Sequence, residues 1–534
     1  MTVDGSSRRG FLHLAGAGLA ATGIAIPGHA STRQETAGAP RPGDFNVRAF
    51  GAAGDGQRLD TNAVNKAIEA AAASGGTVYF PAGSYLCHSI HLKSEIALYL
   101  DRGATIVAAD PPAPGSGGPA YDAAEPNAWD HYQDFGHSHF RNSLIWGEAL
   151  DSISILGPGL IWGKGLSRGG REGRRAEDPG VGNKTISLKN CRNITLRDFS
   201  ILHGGHFGIL ATGVDNLTID NLLIDTNRDG IDIDCCRNVR VSNCSVNSPW
   251  DDAICPKSSF ALGYARATEN VTITNCYVSG DYLEGSLLDG TWKRFDPAFK
   301  VPRTGRIKFG TESNGGFKNI TVSNCVFEAC SGLALEAVDG AMLEDIAITN
   351  ITMREITAAP IFLRLGSRMR GPKDAQVGQL RRVSISNIVC SSSVSRFGSI
   401  ISGIPDHAIE DVRLSNIYIQ HRGGGTQADA GIAVAERENA YPEPDMFGTI
   451  PAHGFYIRHV KGLEMSHIEI EPMAPDARPA FALDNVQSAN LLRMRAAQTA
   501  GVPTFALKSV DDFNLYLSRP LPDTHLDHVD EKKL

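Results

Sequence analysis

Outside the first thirty residues, no stretch stays apolar for the ~18 residues of a membrane-spanning helix. The ten cysteines contain no Cys-x-x-Cys pair and no Cys/His spacing of the zinc type. A large excess of one charge is also missing. The 51 basic and 59 acidic residues leave a net charge of −8, and charged residues make up only 21%. That balance excludes a chain built mainly to hold nucleic acid or an anionic membrane surface. General disorder is excluded too, because 42% of the residues are hydrophobic. At about 150 residues per domain, 534 residues suggest three domains.

The N-terminus reads as an address. Ser7-Arg8-Arg9-Gly10-Phe11-Leu12, a Gly/Ala/Leu-rich stretch to Ile26, and then Pro27 to Ala30 resemble a bacterial twin-arginine export signal, with cleavage after Ala30. The resemblance implies export as a folded protein through the twin-arginine machinery, to the periplasm or beyond. Residues 31–44 are polar and rich in Pro and Gly, as in a linker.

A repeated phrase decides the fold. RNITLRDFSI, DNLTIDNLLI and RNVRVSNCSV begin a series that continues to KGLEMSHIEI. Equivalent positions are Asp198, Asn221, Asn243, Asn275, Asn324, Asn350, Asn387, Asn416 and His467, with shortest spacings of 23 and 22 residues. Apolar residues alternate within each phrase, as in a half-buried strand. A short strand cannot bury itself, so a period in the twenties implies coils stacked as a solenoid. The strands are β-branched and their connections are too short for helices. The expected fold is therefore all-β: a right-handed parallel β-helix over 45–520, one elongated domain rather than three, with 521–534 as a tail. The recurring Asn is expected to form an internal amide ladder. Cys191, Cys244, Cys276 and Cys325 each follow an Asn and are expected to stack as buried thiols rather than form disulfides. Asp60 is a natural N-cap for an Ala-rich helix that plugs the N-terminal end. Residues 103–140 and 281–303 read as long loops over the coils.

Within the series, Asp229 and Asp251 are 22 residues apart, one coil. Adjacent coils lie about 4.8 Å apart, so Asp229 stacks beside Asp251 and Asp252. Three carboxylates there repel, and at least one pKa rises. The spacing alone leaves open a catalytic cluster, solvated acidic turns or a Ca²⁺ site.

The order Phe50-Gly51-Ala52-Ala53-Gly54-Asp55-Gly56, then Asn227-Arg228-Asp229-Gly230-Ile231-Asp232-Ile233, then Asp251-Asp252-Ala253-Ile254, then Gly310-Thr311-Glu312-Ser313-Asn314 resembles glycoside hydrolase family 28, the polygalacturonase family. The resemblance spans about 45–470. It implies an inverting hydrolase of pectic polysaccharides (galacturonan or rhamnogalacturonan), with no cofactor and no metal. Asp251 would then be the general acid, and Asp229 and Asp252 the pair that holds and activates water. Two family features are absent in register. Thr304–Glu312 holds no His, with Gly305 in its place. Ala334-Leu335-Glu336 stands where an Arg-Ile-Lys triplet would grip a uronate. Arg306-Ile307-Lys308 carries those letters one coil early. These departures favour a neutral sugar at that subsite, or exo action. Candidate sugar contacts are His206, Trp250, Lys257, Arg306, Lys308, Glu312 and Glu336, with His203, Trp292 and Arg364 further out. The expected partner is a plant cell-wall type polysaccharide or oligosaccharide, and the expected state is monomeric. The alternatives are a Ca²⁺-dependent polysaccharide lyase, with Lys257, Arg306 or Lys308 as base, and a glycan-binding solenoid without chemistry.

Overall fold

The computed structural model describes residues 44–113, 115–168, 176–497 and 499–534. The export signal and nearly all of the linker lie outside the described residues. Each central coil has three strands. Phe207–Thr212, Asp215–Asp220 and Leu223–Asp225 form one coil; Asp229–Asp234, Arg237–Ser242 and Ser245–Asn247 form the next. Equivalent strands pair in parallel and in register: Ile209 with Ile231, Leu217 with Val239, Ile224 with Val246. The fold is the expected parallel β-helix.

Alternation within each strand builds the core. In Arg237–Ser242, Val239 and Val241 are buried while Arg240 points out. Full burial of such a side chain contributes about 1.5–3 kcal/mol, and each one stacks on its equivalent in the next coil.

The corners are set by backbone handedness. Asn243, Asn275, Asn324, Asn350, Asn387 and Asn416 all have φ between 53° and 57°, a left-handed conformation that Asn tolerates better than most residues. Their amides form a ladder: Asn350 donates to Asn324 (3.0 Å), Asn387 to Asn350 (3.1 Å) and Asn416 to Asn387 (3.1 Å). The ladder faces solvent rather than the interior. The left-handed corner turns the Asn outward and sends the next residue inward, so Cys244, Cys276 and Cys325 are buried behind it. A second outer ladder, Asn193–Asn216–Asn238–Asn270–Asn319, runs at another corner with amide distances of 2.8–3.2 Å. All ten cysteines are free and buried. Cys191 does not join the Cys244 column. It follows Asn190 at the corner occupied one and two coils later by Val214 and Cys236.

Both ends depart from expectation in detail. The helix Thr61–Ala72 buries Ala63, Val64, Ala67, Ile68 and Ala71 against the first coils. Asp60 precedes it but makes no side-chain cap. Its carboxylate instead accepts from the backbone N–H groups of Ala53 (2.7 Å) and Gly54 (2.9 Å), tying down the preceding loop. Residues 521–534 are not a tail: Thr524–Lys533 is a strand antiparallel to Phe505–Tyr516.

The amide ladder yields a stability prediction. Asn350→Ala loses two ladder bonds and forces alanine into the left-handed region, so it is expected to cost about 2 kcal/mol, and Asn350→Gly less. Urea midpoints of the two variants measure this. Equal losses would mean that the amides, not the backbone conformation, carry the contribution.

Candidate active site

The one-coil spacing brings the three aspartates together. Ile231 pairs with Ile254, so Asp229 at the start of one strand lies beside Asp251-Asp252, just ahead of the next strand. The Gly230 N–H donates to the Asp252 carbonyl at 3.0 Å. One carboxylate oxygen from each of Asp229, Asp251 and Asp252 lies within 4.8 Å of the other two.

Their neighbours differ, and so does their chemistry. Asp252 is buried between Arg306 Nε (2.7 Å) and Lys308 Nζ (2.9 Å). Burial alone would raise its pKa, but Lys308, Arg306 and Lys257 outweigh burial and hold it well below the usual carboxylate range. Asp251 is half-buried, and its Oδ2 accepts from Arg228 Nη2 (2.5 Å) and Nε (3.1 Å). Asp229 is buried, and its Oδ1 has no hydrogen-bond partner. Burial first, then the charges of Asp251 and Asp232, push its pKa well above the ordinary value. Burial therefore disfavours charge on Asp229, whereas the cations beside Asp252 favour charge on it.

Arg306 and Lys308 thus reach the site despite their early position in the sequence. Arg306 also forms a two-pronged ion pair with Glu443, through Nη1 (3.0 Å) and Nη2. Glu336 is fully buried nearby, and neither of its carboxyl oxygens has a hydrogen-bond partner. Burial raises its pKa to about 8; Lys308 opposes the rise and Glu443 adds to it. Glu336 is largely uncharged at pH 7, so it does not repel an acidic sugar there as its sequence position suggested.

The other candidates have different surroundings. Lys257 and Glu312 are buried 3.3 Å apart in a second network. Asp232 lies 3.7 Å from Lys257, and His137 Nε2 lies 3.3 Å from Asp232. Arg370 joins Glu312 to Asp134 (3.2 Å). This network fastens the segment 109–144 to the coils, and both Lys257 and Glu312 are spent on it. His206 is buried with its ring stacked on Phe207 and neither nitrogen partnered. Burial and Arg228 keep it neutral. Trp250 is half-buried between the Phe295 ring and the Arg168 guanidinium (4.9 Å). His203 lies 2.9 Å from Glu284, Trp292 packs on Tyr277 and Tyr282, and Arg364 donates to the carbonyls of Gly403, Glu436 and Arg437. Asp234 is a scaffold residue, accepting from Ser259 N–H and Oγ.

The three aspartates have oxygen ligands close enough for a cation. Arg228 already pairs with Asp251, and Arg306 and Lys308 with Asp252, while burial disfavours charge on Asp229. That donor set does not suit Ca²⁺.

Comparison with known proteins agrees with this architecture. A family model described as rhamnogalacturonase A/epimerase, pectate lyase-like, matches residues 45–118, and one described as right handed beta helix region matches 177–353. A probable polygalacturonase of Vitis vinifera is 24% identical over 325 residues, covering 57% of this chain and 60% of the relative. An exo-poly-alpha-D-galacturonosidase of Dickeya chrysanthemi is 26% identical over 276 residues, covering 42% of this chain and 43% of the relative. The family 28 exopolygalacturonase structure of Yersinia enterocolitica superposes with a TM-score of 0.53 at 18% identity, covering 88% of this chain and 78% of that one. The chain is polygalacturonase-like. It spans less than two thirds of the length of these two curated relatives.

Sequence reasoning missed Arg228, His137, Tyr441 and Glu443. Arg228 was within reach: it lies inside the Asn-x-Asp phrase, one coil from Asp251. Glu443 had no local signal, because it falls in the 51-residue interval between Asn416 and His467.

Glu336 gives a pH prediction. Its pKa is raised from 4.5 to about 8 by folding, so the folded state keeps a proton that the unfolded chain releases. The stability this proton confers is complete below pH 4.5 and is lost as pH rises to 8. The urea midpoint is expected to fall from pH 5 to pH 8.5, and Glu336→Gln to remove part of that fall. The same pH slope in both proteins would refute the assignment.

Proposed function

We propose that this protein hydrolyses O-glycosidic bonds of a pectic glycan, galacturonan or rhamnogalacturonan, acting from a chain end. The observation that carries this reading is the unequal surroundings of three carboxylates brought together by adjacent coils. Hydrolysis at an acetal centre needs one carboxyl group that gives a proton and one carboxylate that takes one. Asp251, the member open to solvent, reaches the leaving oxygen. Asp229 behind it stores the proton, and the two share it. Asp252, kept anionic by Arg306 and Lys308, accepts a proton from water. As the C–O bond to the leaving sugar breaks, that oxygen takes the shared proton. The water oxygen bonds to the anomeric carbon, and its proton goes to Asp252.

Connections from three places border the cluster: 109–144 through His137 on Asp232, 280–303 through Phe295 on Trp250, and 422–454 through Glu443 on Arg306. Crowding of this kind supports attack at a chain end. The names of the relatives support a pectic substrate. A single displacement by water gives inversion, which the family resemblance implies. The nearest carboxylate oxygens, within 4.8 Å, are closer than the ~6.5–9.5 Å usual for inverting pairs, so the first-formed anomer is the measurement that tests inversion. We propose also that the chain works as a monomer in the periplasm or outside the cell, reached by the twin-arginine route; residues 7–30 support the route.

Mass spectra of products from galacturonan and rhamnogalacturonan oligosaccharides test the reaction. One added water per cleavage is expected, released from one end. Unsaturated fragments without added water would indicate elimination instead. Asp251→Asn is expected to fold and to lose 10²–10⁴ in rate, roughly the contribution of a positioned acid. Near-normal turnover in that variant would remove Asp251 from the acid role.

A further inference from the structure

The connection 422–454 is firmly seated on the coils. Its two stems are joined where His421 Nε2 meets His453 Nδ1 at 2.9 Å. Phe447, Ile450 and Ala452 pack with Phe362, Ile400 and Tyr456 in an apolar cluster of their own. Arg364 and Arg458 donate to its backbone carbonyls at Val434, Ala435, Glu436 and Arg437. The two side chains it extends to the site are therefore held in place.

Glu443 is one of them. The Arg306 guanidinium gives Nε to Asp252 and both terminal nitrogens to Glu443, so it has no fork left for a ligand. The local charge closes: Arg306 and Lys308 supply two positive charges, Asp252 and Glu443 two negative ones, and Glu336 holds a proton near pH 6. A uronate entering here would have to expel Glu443 and leave a carboxylate unpaired among carboxylates, which is costly in a buried setting. An uncharged sugar meets no such cost. Tyr441, two residues away, is half exposed. Its hydroxyl lies 3.1 Å from Thr311 Oγ1, and its ring lies 5.9 Å from Lys308 Nζ. Arg368 Cζ also lies 5.7 Å from the ring centre, and the exposed half of the ring is the apolar surface left for a sugar's C–H groups.

We infer that Glu443 and Tyr441 make the subsite beside Asp252 one for an uncharged sugar, with Glu443 occupying the guanidinium that a uronate carboxylate would otherwise claim. The inference rests on the hydrolase reading only for the purpose of the subsite; the selection itself is a binding property. It places any uronate of the substrate on the other side of the scissile bond.

The test uses the full chain at pH 6, with NMR titration of L-rhamnose, D-galactose and D-galacturonate into wild type, Glu443→Gln, Glu443→Ala and Tyr441→Ala. Wild type is expected to bind a neutral sugar more tightly than galacturonate. Both Glu443 variants are expected to gain about tenfold for galacturonate, or 1.4 kcal/mol, with little change for the neutral sugar. Tyr441→Ala is expected to weaken the neutral sugar several-fold. Galacturonate binding to wild type as tightly as the neutral sugars, or no gain in either Glu443 variant, would overturn the inference; so would no binding of any sugar. Glu443→Gln keeps the shape of the side chain and serves if the alanine variant does not fold. Turnover is assayed separately. Selective binding without hydrolysis of any pectic oligosaccharide would support the subsite while removing the hydrolase reading.

Discussion

In-register parallel pairing between successive coils is the constraint on which the site depends. Parallel strands place equivalent residues side by side at about 4.8 Å, so any residue repeated one coil later becomes a spatial neighbour. In the core this stacks Ile231 on Ile254 and Cys325 on Ile351. On the outside it does the same to charge. Carboxylates that one strand would hold apart are pressed together, and their repulsion must be met by neighbours from the next coils. Arg306 and Lys308 enter from the coil that follows Asp252, and Arg228 from the turn before Asp229.

The same geometry divides labour among identical side chains. Asp229, Asp251 and Asp252 are chemically alike in sequence, and they differ because the cations beside them differ. Two cations hold Asp252 anionic, while none touches the unpartnered oxygen of Asp229. Desolvation raises the pKa of both groups, and the cations reverse the net shift only at Asp252. Carboxylates with opposite preferences for a proton thus stand side by side. His137 is buried beside Asp232, and His206 is buried against the Phe207 ring.

How much of this was legible follows from what a repeat encodes. Strands, corners and the Asp229–Asp251 juxtaposition are periodic, and period was the strongest signal in the sequence. The corner rule itself caused one misreading. Different corners alike set a left-handed residue before a buried one, so Asn190-Cys191 looked like Asn243-Cys244 although it belongs to a different corner. The Asn ladder was expected inside. In fact φ near +55° turns these side chains to solvent. Lys257 pairs with Asp232 and Glu312, and Glu312 also with His137 and Arg370, which come from segments without periodicity. Glu443 and Tyr441 come from a segment of the same kind. Insertions contribute to the site through tertiary contacts alone, and no spacing rule reaches them.

The closing strand Thr524–Lys533 runs against the direction of every other paired strand named above. A parallel solenoid can in principle add another turn to its last one, since the exposed edge repeats the edge beneath it. An antiparallel partner ends that continuity: the hydrogen-bonding rhythm it presents no longer matches a coil arriving in the common direction. A duplicated coil near the aspartates would slide Arg306 and Lys308 one step away from Asp252, whereas one added beyond residue 455 would leave that pairing intact.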